Sequence, residues 1–548
     1  MAVVEFSRKD FESLVGRKLS DSDLTEKITM MGFPLEKMEG DRIFYEVFPN
    51  RPDMLSVEGF ARSVRHFLGI EKAGRKYALA PSGIKLAVDR SVSDVRPFIA
   101  AAVIEKVRFS DDFIASLMQV QEKLHETLGR KRKKVAIGVH DLDKIKPPFT
   151  YRAAEPSEVS FVPLDMTRKM SMDEILKEHE KGRKYAHILS GHRKYPVVLD
   201  RNGDVVSFPP IINADMTRVT ENTHRLLIEI TGTSSQAVSH ALNIIATALI
   251  ERGCVAKTVE ITGYCRARTP DLSPRSMSVS SEYVSRMLGI KLTSRDFSGL
   301  LERMGMWYSR SAMIPAYRTD IMHPMDIAEE IAIAYGYQCF KPEIPLISTI
   351  ASPLRMNSLV DAVHETLIGM GCQEVVGMIL TNEADEFSRM NRTETEHCMT
   401  SNPTTEECTM TRKSVMPSLM RIFSQNKNRE YPQKIFETGY VVVPDKSCET
   451  GACNVHGLAC AFSDIEAAYE DASIILDSLM RNLGMEYSLK KASHSSFIEG
   501  RCAEVVVKGK TVGVIGELSP PVLENWKIEK PVSGFEIDLS TLSRCSEK

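Results

Sequence analysis

The length of the chain limits its fold more than any other sequence feature. Its 548 residues exceed what one hydrophobic core organises, because cores stop growing beyond roughly 250–300 residues. Hydrophobic residues make up 43% and charged residues 26% of the chain, a balance typical of globular proteins that bury large cores. No segment repeats with a period of about 20–50 residues, which argues against solenoids and propellers. The sequence therefore predicts several domains, about 3 to 5.

Composition excludes several classes of protein. The formal net charge of -3 indicates no general affinity for nucleic acid, so any RNA contact depends on local patches. The N-terminal segment lacks the apolar run of a signal peptide, and the longest apolar stretch, near residues 241–250, is about half the ~20 residues that span a bilayer. The 11 cysteines follow no regular spacing, which favours reduced thiols. We expect a cytoplasmic protein without a membrane segment.

Two cysteines lie close together near a histidine. Cys448 and Cys453 are followed by His456, but tetrahedral zinc needs a fourth ligand, and none is evident. No zinc site is predicted there.

The pattern of apolar residues and breakers predicts an α+β protein of four domains. Residues 1–75 alternate short strands and helices in a small α/β unit. Residues 90–258 mix strands with helices near 111–128 and 235–252. A proline-containing connector precedes the third domain, and the fourth combines helices and strands to the end of the chain. The predicted domains are 1–75, 90–258, 270–345 and 352–548.

Four acids stand near the start of a helix that Pro324 opens and Gly336 ends. Asp326, Glu329 and Glu330 have the i, i+3, i+4 spacing that places side chains on one helical face, and Asp320 lies on the preceding loop. Mg²⁺, which prefers oxygen ligands, would relieve their repulsion. Basic residues of a partner would do the same, and solvated acids that complement the helix dipole are a third possibility.

Two basic segments are also candidates for binding. Arg51 follows a strand at a proline-stiffened corner, where it could clamp a carboxylate or phosphate or pair with Glu58. The run Arg130, Lys131, Arg132, Lys133 and Lys134 could contact RNA phosphates or form a solvated loop.

A third segment places small polar side chains among apolar ones. It contains Asn213, Asp215, Thr217, Thr220, Glu221, Thr223, Glu229, Thr231 and Thr233. Hydroxyl and amide groups at strand ends could line a pocket that orients a water molecule, although threonines are also ordinary strand residues. The sequence has no nucleophile elbow, phosphate-binding loop or dinucleotide fingerprint.

Several of these segments, in this order, resemble the β subunit of phenylalanyl-tRNA synthetases. FPNRPDMLSVEGFARSVRHFLG is similar to the family's N-terminal signature, and YRTDIMHPMDIAEEIAIAYGY to its magnesium-associated segment. PPIINADMTRVTENTHRLLIEITGT resembles the editing-domain core, and GVIGELSPPVLENW and VSGFEIDL resemble the catalytic-like domain. The resemblance covers essentially the whole chain.

The resemblance implies the shorter archaeal/eukaryotic type. Residue 75 runs directly into the editing-like region without an inserted barrel, and the chain ends ten residues after Asp538. The implied architecture is a small α/β unit, an α+β editing-like and tRNA-binding domain, a helix-rich, winged DNA-binding-like domain with the acidic helix, and a class II synthetase-like antiparallel sheet with helices.

The resemblance also implies an activity and partners. An α₂β₂ heterotetramer would attach phenylalanine to tRNA(Phe) with ATP, and ATP and phenylalanine would bind through the α subunit. Arg412 lies where a class II motif-2 strand would begin, but its neighbours lack ATP-binding partners, so the last domain is interpreted as a non-catalytic scaffold. Asp320, Asp326, Glu329 and Glu330 match the family's Mg²⁺ ligands.

The editing-like domain would hydrolyse mischarged Tyr-tRNA(Phe). Its candidate residues are Asn213, Thr217, Thr220, Glu221 and Thr231. A freestanding tRNA-editing hydrolase and a tRNA-binding scaffold are the alternative interpretations.

Overall fold

The computed structural model describes residues 2–545 of the chain. Contacts between residues divide it into two compact units, residues 1–344 and 345–548. Within the described residues, no helix is both long enough and apolar enough to cross a membrane. The architecture is mixed α/β and multidomain, as predicted.

The first segment of unit 1 is a three-stranded antiparallel sheet covered by two helices. Its elements are β1 (Ala2–Ser7), α1 (Arg8–Val15), β2 (Leu35–Glu39), β3 (Arg42–Val47) and α2 (Val57–Phe67). The sheet order is β1-β3-β2. Aromatic side chains form its core, with the Phe60 ring centroid 4.7 Å from that of Tyr45 and 5.8 Å from that of Phe11. Ser56 starts α2 by accepting a hydrogen bond from the Gly59 amide.

The second segment forms a ten-stranded sheet with helices packed on it. Its elements are β4 (Ala80–Val88), β5 (Phe98–Glu105), α3 (Asp111–Glu126), β6 (Val135–Asp141), β7 (Phe149–Ala154), β8 (Ser160–Phe161), β9 (Met170–Ser171), α4 (Met172–Glu178), α5 (Glu180–Tyr185), β10 (Tyr195–Leu199), β11 (Val205–Phe208), β12 (Ile212–Asn213), β13 (Leu226–Gly232), α6 (Ser235–Glu251), β14 (Val255–Gly263) and β15 (Ala267–Thr269). The sheet order is β12-β11-β10-β7-β4-β14-β5-β13-β6, and β15 pairs with β14. Strands β8 and β9 form a separate pair.

The ten-stranded sheet extends beyond the predicted limits of 90 and 258. Strand β14 pairs in parallel with β4 and antiparallel with β5, so residues 80–88 and 259–269 belong to the same sheet as the predicted domain. The sequence of residues 259–263 suggested a polar connector because β14 alternates buried and exposed side chains. The backbone pairing of β14 with β4 and β5, which cannot be inferred from the sequence of β14 alone, assigns these residues to the sheet.

The third segment packs helices on a small antiparallel sheet. Its elements are β16 (Arg275–Met277), α7 (Ser281–Leu288), α8 (Ser294–Arg303), β17 (Trp307–Tyr308), β18 (Ala312–Ile314) and α9 (Pro324–Tyr335), with sheet order β16-β18-β17. As predicted, α9 starts at Pro324 and ends before Gly336, whose φ is +97°. A capping box between His323 and Asp326 fixes its first turn.

Unit 2 is built around a seven-stranded sheet. Its elements are α10 (Arg355–Gly369), β19 (Gln373–Glu374), β20 (Leu380–Thr381), β21 (Met410–Thr411), α11 (Met416–Asn426), β22 (Gln433–Pro444), β23 (Ala452–Ser463), α12 (Tyr469–Asn482), β24 (Ser488–Lys491), β25 (Phe497–Val507), β26 (Lys510–Leu518), α13 (Pro520–Trp526), β27 (Val532–Asp538) and α14 (Leu539–Cys545). The order is β19-β22-β23-β27-β26-β25-β24. All pairs are antiparallel except β19 with β22, and β20 and β21 pair separately.

Candidate functional site

A cavity of about 350 Å³ lies in the second segment of unit 1. Helix α3, strand β6 and the β11–β12 connection supply its walls. Most of the lining is apolar, including Leu117, Ile137 and Phe208, and a few polar groups converge on it. This combination is typical of small-molecule sites.

Glu229 is the buried acid of this cavity. It stands on β13 between apolar neighbours and is only 2% exposed. Its Oε1 accepts a hydrogen bond from Ser207 Oγ at 2.8 Å, whereas its Oε2 has no hydrogen-bond partner among the described residues. A buried carboxylate oxygen without a partner is costly, so a ligand that donates a hydrogen bond here would be favoured.

His140 lies beside Glu229, on the neighbouring strand β6. Its Nδ1 lies 2.9 Å from Thr217 Oγ1, and Thr217 Oγ1 donates to the Ala214 carbonyl oxygen at 2.9 Å. With the hydroxyl hydrogen used in that bond, Nδ1 is the donor to Thr217, and in a neutral ring Nε2 carries the lone pair. Nε2 is 3.7 Å from Glu229 Oε1 and has no hydrogen-bond partner in the described chain.

Gly138 makes room for these groups. A Cβ at this position would lie 2.6 Å from Glu229 Oε1 and 2.6 Å from His140 Nε2, closer than real Cβ atoms come to other heavy atoms. A larger residue would therefore have to displace one of these two polar side chains, and the constraint comes from their close approach rather than from backbone conformation.

The predicted basic run forms a strained turn beside the cavity. Arg130, Lys131 and Arg132 all have left-handed φ values, 48°, 53° and 66°, and each costs roughly 1–2 kcal/mol for a residue with a side chain. Arg132 is buried and lines the cavity, where its Nη1 donates to the Ile211 carbonyl oxygen at 3.0 Å. Arg130, Lys131 and Lys133 are exposed.

Arg132 also charges the rim of the cavity. Its Nη2 is 2.8 Å from Glu122 Oε1. The hydrogen bond from His125, together with the charge of Arg132, lowers the pKa of Glu122 to about 2. Glu122 is therefore ionised throughout the neutral range.

The structure brings two of the five editing candidates to this cavity. Asn213 and Thr217 line it. Thr220 and Glu221 are exposed and outside the lining. Thr231 is fully buried and accepts a hydrogen bond from Arg96 Nε at 2.9 Å.

Sequence reasoning missed His140, Gly138 and Ser207 and did not select Glu229. The available signal was an ionisable residue inside an apolar strand, since Glu229 stands in LLIEITG and His140 in VAIGVHD. Such residues are seldom fully buried unless paired or functional.

The four acids near α9 do not gather at one point. In residues 2–545, the side-chain oxygens of this set form no group with ligand atoms mutually within 4.8 Å. Asp320 Oδ2 lies 2.7 Å from Arg318 Nη2, and Glu330 Oε2 lies 2.9 Å from Arg318 Nη1. Glu330 is buried and Glu329 exposed, so the two do not share an accessible face.

Arg318 places a positive charge beside two of the acids that were predicted to bind Mg²⁺. Burial opposes ionisation of Asp320, but the charge and hydrogen bonds of Arg318 lower its pKa to about 2. Asp326 Oδ2 is used at the helix start, where it accepts from the Met322 and His323 amides at 2.6 and 2.7 Å. The oxygens suit Mg²⁺ chemically, but the residues present do not form a ready-made metal site.

Arg51 pairs with Asp53 and not with Glu58. Its Nε lies 2.9 Å from Asp53 Oδ1, whereas Glu58 pairs with Arg252 at 2.6 Å. Asp53 is the closer partner because a 3-10 turn over Pro52–Met54 places its carboxylate beside the Arg51 guanidinium.

The Arg412 side chain in unit 2 is engaged in hydrogen bonds within the chain. It is 2% exposed, and its Nη1 lies 2.5 Å from Glu437 Oε1 and 3.2 Å from Ser418 Oγ. Its Nε donates to the Tyr440 carbonyl oxygen at 3.0 Å. These contacts engage Nε and Nη1 of the guanidinium inside the chain.

Comparison with protein families matches three consecutive regions. Residues 112–263 match the B3/4 domain, residues 277–337 the tRNA synthetase B5 domain, and residues 341–539 the phenylalanyl tRNA synthetase beta chain CLM domain. The cavity lies mainly within the first region, and the acidic helix within the second.

Whole proteins match over almost their full length. The chain is 39% identical to the phenylalanine–tRNA ligase beta subunit of Thermococcus sibiricus, covering 98% of each chain. It is 40% identical to that of Methanocaldococcus jannaschii, covering 98% of this chain and all of the relative. The crystal structure of an N-terminal fragment of the phenylalanyl-tRNA synthetase β subunit from Pyrococcus horikoshii matches with a TM-score of 0.59 and 38% identity, over 61% of this chain and 99% of the fragment. The chain therefore belongs to the phenylalanine–tRNA ligase beta subunit family.

Proposed function

We propose that this chain works with an α subunit, in an α₂β₂ complex of the cytoplasm, to attach phenylalanine to tRNA(Phe) with ATP. ATP and phenylalanine bind through the α subunit, and unit 2 acts as its scaffold. The names of the relatives, which call them beta subunits, support a partner. The pairing of Arg412 with Glu437 supports placing aminoacylation outside this chain, because the Arg412 guanidinium is already engaged by a carboxylate of its own chain.

Exposed apolar side chains also support a protein partner. In the segment 346–354, Leu346, Ile347, Ile350 and Leu354 are each at least 73% exposed. Val376 and Met378 precede β20 and are also exposed. Large apolar side chains exposed so close together in the sequence favour an interaction surface.

Co-expression with an α subunit tests the complex. We expect both chains to co-purify at equal ratio, with the mass of two copies of each, and to form Phe-tRNA(Phe). A β chain that stays alone and hydrolyses Tyr-tRNA(Phe) at a rate unchanged by α would instead indicate a freestanding editing hydrolase. Binding of tRNA without either activity would indicate a scaffold.

We propose further that the cavity of unit 1 hydrolyses Tyr-tRNA(Phe). The observation that carries this proposal is Glu229 Oε2, which has no hydrogen-bond partner among the described residues and stands at a cavity whose lining is mostly apolar. A tyrosine hydroxyl can donate to this oxygen, whereas phenylalanine would leave it unpaired. A site built around such a hydrogen bond discriminates by ~10⁴–10⁵, far more than the ~10² with which an apolar pocket rejects an added hydroxyl.

The remaining candidates take secondary roles in this proposal. Asn213 offers an amide that can orient a water molecule at the ester, and Thr217 fixes the His140 ring. Thr220, Glu221 and Thr231 have no direct role, since the first two are exposed and the third binds Arg96. The exposed Arg130, Lys131 and Lys133 offer charge to the RNA backbone near the cavity.

Deacylation of Tyr-tRNA(Phe) by the complex tests the site. Glu229→Ala is expected to slow it by at least about tenfold, because a hydrogen bond to a charged group contributes roughly 1.5–3 kcal/mol. Phe-tRNA(Phe) formation should be unchanged. Thr220→Ala is the matched control in the same segment. Equal deacylation by both variants would refute the assignment.

We propose that Mg²⁺ binds in the assembled complex only, with carboxylate ligands from Asp320, Asp326, Glu329 and Glu330. Their carboxylate chemistry supports this, and the pairing of Asp320 and Glu330 with Arg318 implies that a further group must release or supplement them. Asp326→Ala and Glu330→Ala should weaken Mg²⁺-dependent assembly. Unaltered magnesium dependence in both would favour a solvated helix start.

A further inference from the structure

We propose that Glu383, Glu394 and His397 form a binding site for a divalent transition-metal ion, with the Met399 thioether as an additional weak ligand. The ligand atoms of the first three lie within 4.8 Å of one another. Over residues 2–545, no other group of three histidine, cysteine or acidic side chains meets that condition. The site lies in unit 2 and is independent of the editing cavity and of the acids near α9.

His397 is held like a metal ligand. Its side chain is only 7% exposed, and its ring centroid is 5.4 Å from that of Phe387. Its Nδ1 lies 2.8 Å from the Thr395 carbonyl oxygen, which can only accept, so Nδ1 is the donor. In the neutral ring Nε2 then carries the lone pair. Metal-bound histidines almost always donate their other N–H in this way.

The lone pair of Nε2 faces other electron-pair donors. Nε2 is 3.3 Å from Glu383 Oε1 and 3.1 Å from Met399 Sδ. With the neutral ring, no hydrogen stands between these atoms, and a cation among them removes the repulsion. Two ligands about 2.1 Å from Zn²⁺ at a tetrahedral angle are about 3.4 Å apart, which agrees with the distance between Nε2 and Oε1.

The donor set indicates the class of ion. One imidazole nitrogen, carboxylate oxygens and a thioether sulfur suit zinc or copper, whereas Mg²⁺ prefers oxygen ligands in octahedral geometry. Glu383 follows β20, and Glu394 and His397 precede β21. An ion would therefore close the long loop that joins these strands, which stabilises the folded chain.

The competing arrangement is an ion pair between a protonated His397 and Glu383, with no metal. Glu394 distinguishes the two, because it is exposed and takes no part in the pair between His397 and Glu383, yet it supplies one of the three metal ligands. Glu396 is a matched control, since it is an exposed acid two residues away and outside the group.

Zinc binding to the full-length chain tests the proposal. The background is Cys448→Ser/Cys453→Ser, because thiols of that hairpin could bind zinc themselves. After chelator treatment, Zn²⁺ affinity and stoichiometry are measured by calorimetry, with metal content checked by mass spectrometry. We expect one ion per chain, affinity at least roughly tenfold weaker in Glu394→Gln and His397→Gln, no change in Glu396→Gln, and no competition from excess Mg²⁺.

Two outcomes would overturn the proposal. One is equal Zn²⁺ affinity in the background chain, Glu394→Gln and Glu396→Gln. The other is a background chain that takes up no zinc at all, which would assign the cluster to the ion pair. Circular dichroism checks that His397→Gln folds, and the exposed Glu394→Gln keeps the test decisive if it does not.

Discussion

Glu229 in unit 1 and Glu437 in unit 2 stand in similar surroundings. Each is a glutamate on a sheet strand, 2% and 1% exposed respectively, and each has an Oε2 without a hydrogen-bond partner in the described chain. Each also faces a glycine that leaves it room: a Cβ on Gly138 would lie 2.6 Å from Glu229 Oε1, and a Cβ on Gly377 would lie 2.9 Å from Glu437 Oε2.

The two glutamates differ in the charge beside them. Glu437 Oε1 is paired with the Arg412 guanidinium at 2.5 Å. Among the described residues, Glu229 receives a hydrogen bond only from the neutral Ser207 hydroxyl, and it borders a cavity. A buried charge matched by a cation of its own chain stabilises structure, and one left with neutral partners is available to a ligand. The type and burial of a residue therefore do not assign its role.

The largest expected effect is on the paired acid. Arg412→Met leaves Glu437 buried without a countercharge, which should lower the free energy of unfolding by about 3–5 kcal/mol. Urea denaturation followed by fluorescence measures it. The double variant Arg412→Met/Glu437→Met should recover most of the loss. If Arg412→Met alone lowers the free energy of unfolding only slightly, the pair between Arg412 and Glu437 does not stabilise the fold.

A third buried acid, Glu386, sharpens the comparison because it forms no salt bridge among the described residues. It is 1% exposed, and burial raises its pKa to about 7, with Arg392 and Lys413 opposing and Glu536 adding to the shift. A raised folded-state pKa gives stability that is complete below the unfolded value, near 4.5, and is lost as pH rises to about 7. The expected loss is roughly 3 kcal/mol.

Denaturation at several pH values, compared with Glu386→Gln, measures this loss. His494, whose pKa burial lowers to about 4, acts in the opposite direction and is common to both proteins. The difference between wild type and variant therefore isolates Glu386. Identical pH profiles would show that Glu386 is as well compensated as Glu437.

Glu229 in unit 1 should be sensitive to a substitution of the neighbouring Gly138. Gly138→Ala pushes a methyl group against Glu229 and His140, and we expect hydrolysis of Tyr-tRNA(Phe) to fall by about 100-fold, the cost of displacing site groups by about 1 Å. Phe-tRNA(Phe) formation by the complex should be retained. Unchanged hydrolysis would mean that this polar pair does not contact the substrate.

The smallest effect is expected at a glycine with open space. Gly299 lies in α8, and no heavy atom stands within 4 Å of its added Cβ. Gly299→Ala should stabilise the protein by about 0.5–1 kcal/mol through helix propensity. Thermal denaturation measures it, and a loss of stability would show that the space around α8 is filled in the complex.

Local elements were the most predictable part of this protein. The helix from Pro324 to Tyr335 carries its own start and stop signals, and β13 agrees with the predicted strand at Leu226–Gly232. Residues 259–263 were less predictable, because strand β14 is defined by its partners β4 and β5. Pairing between distant segments leaves little trace in one strand's own sequence.

The candidate sites were predicted in part for the same reason. Spacing placed Asp326, Glu329 and Glu330 within one helical turn, but the burial of Glu330 against Arg318 depends on the packing of α9. Asn213 and Thr217 were selected by residue type and do line the cavity. Thr231, equally plausible by type, binds Arg96 instead.

The predicted RNA-binding run divides in the structure. Its charge was evident from the sequence, yet Arg132 turns inward to the Ile211 carbonyl oxygen while Arg130 and Lys131 remain exposed. A left-handed turn decides this division.

The sequence by itself determined the family, the mixed α/β class and the local elements, because these follow from long motifs, helix signals and apolar periodicity. Only the tertiary structure decided which ionisable groups are free. Glu229 and Glu437 differ in their partners, and those partners, Ser207 and Arg412, come from other strands and loops. The electrostatic state of a buried group depends on distances that folding sets, so no reading of a strand alone can supply it.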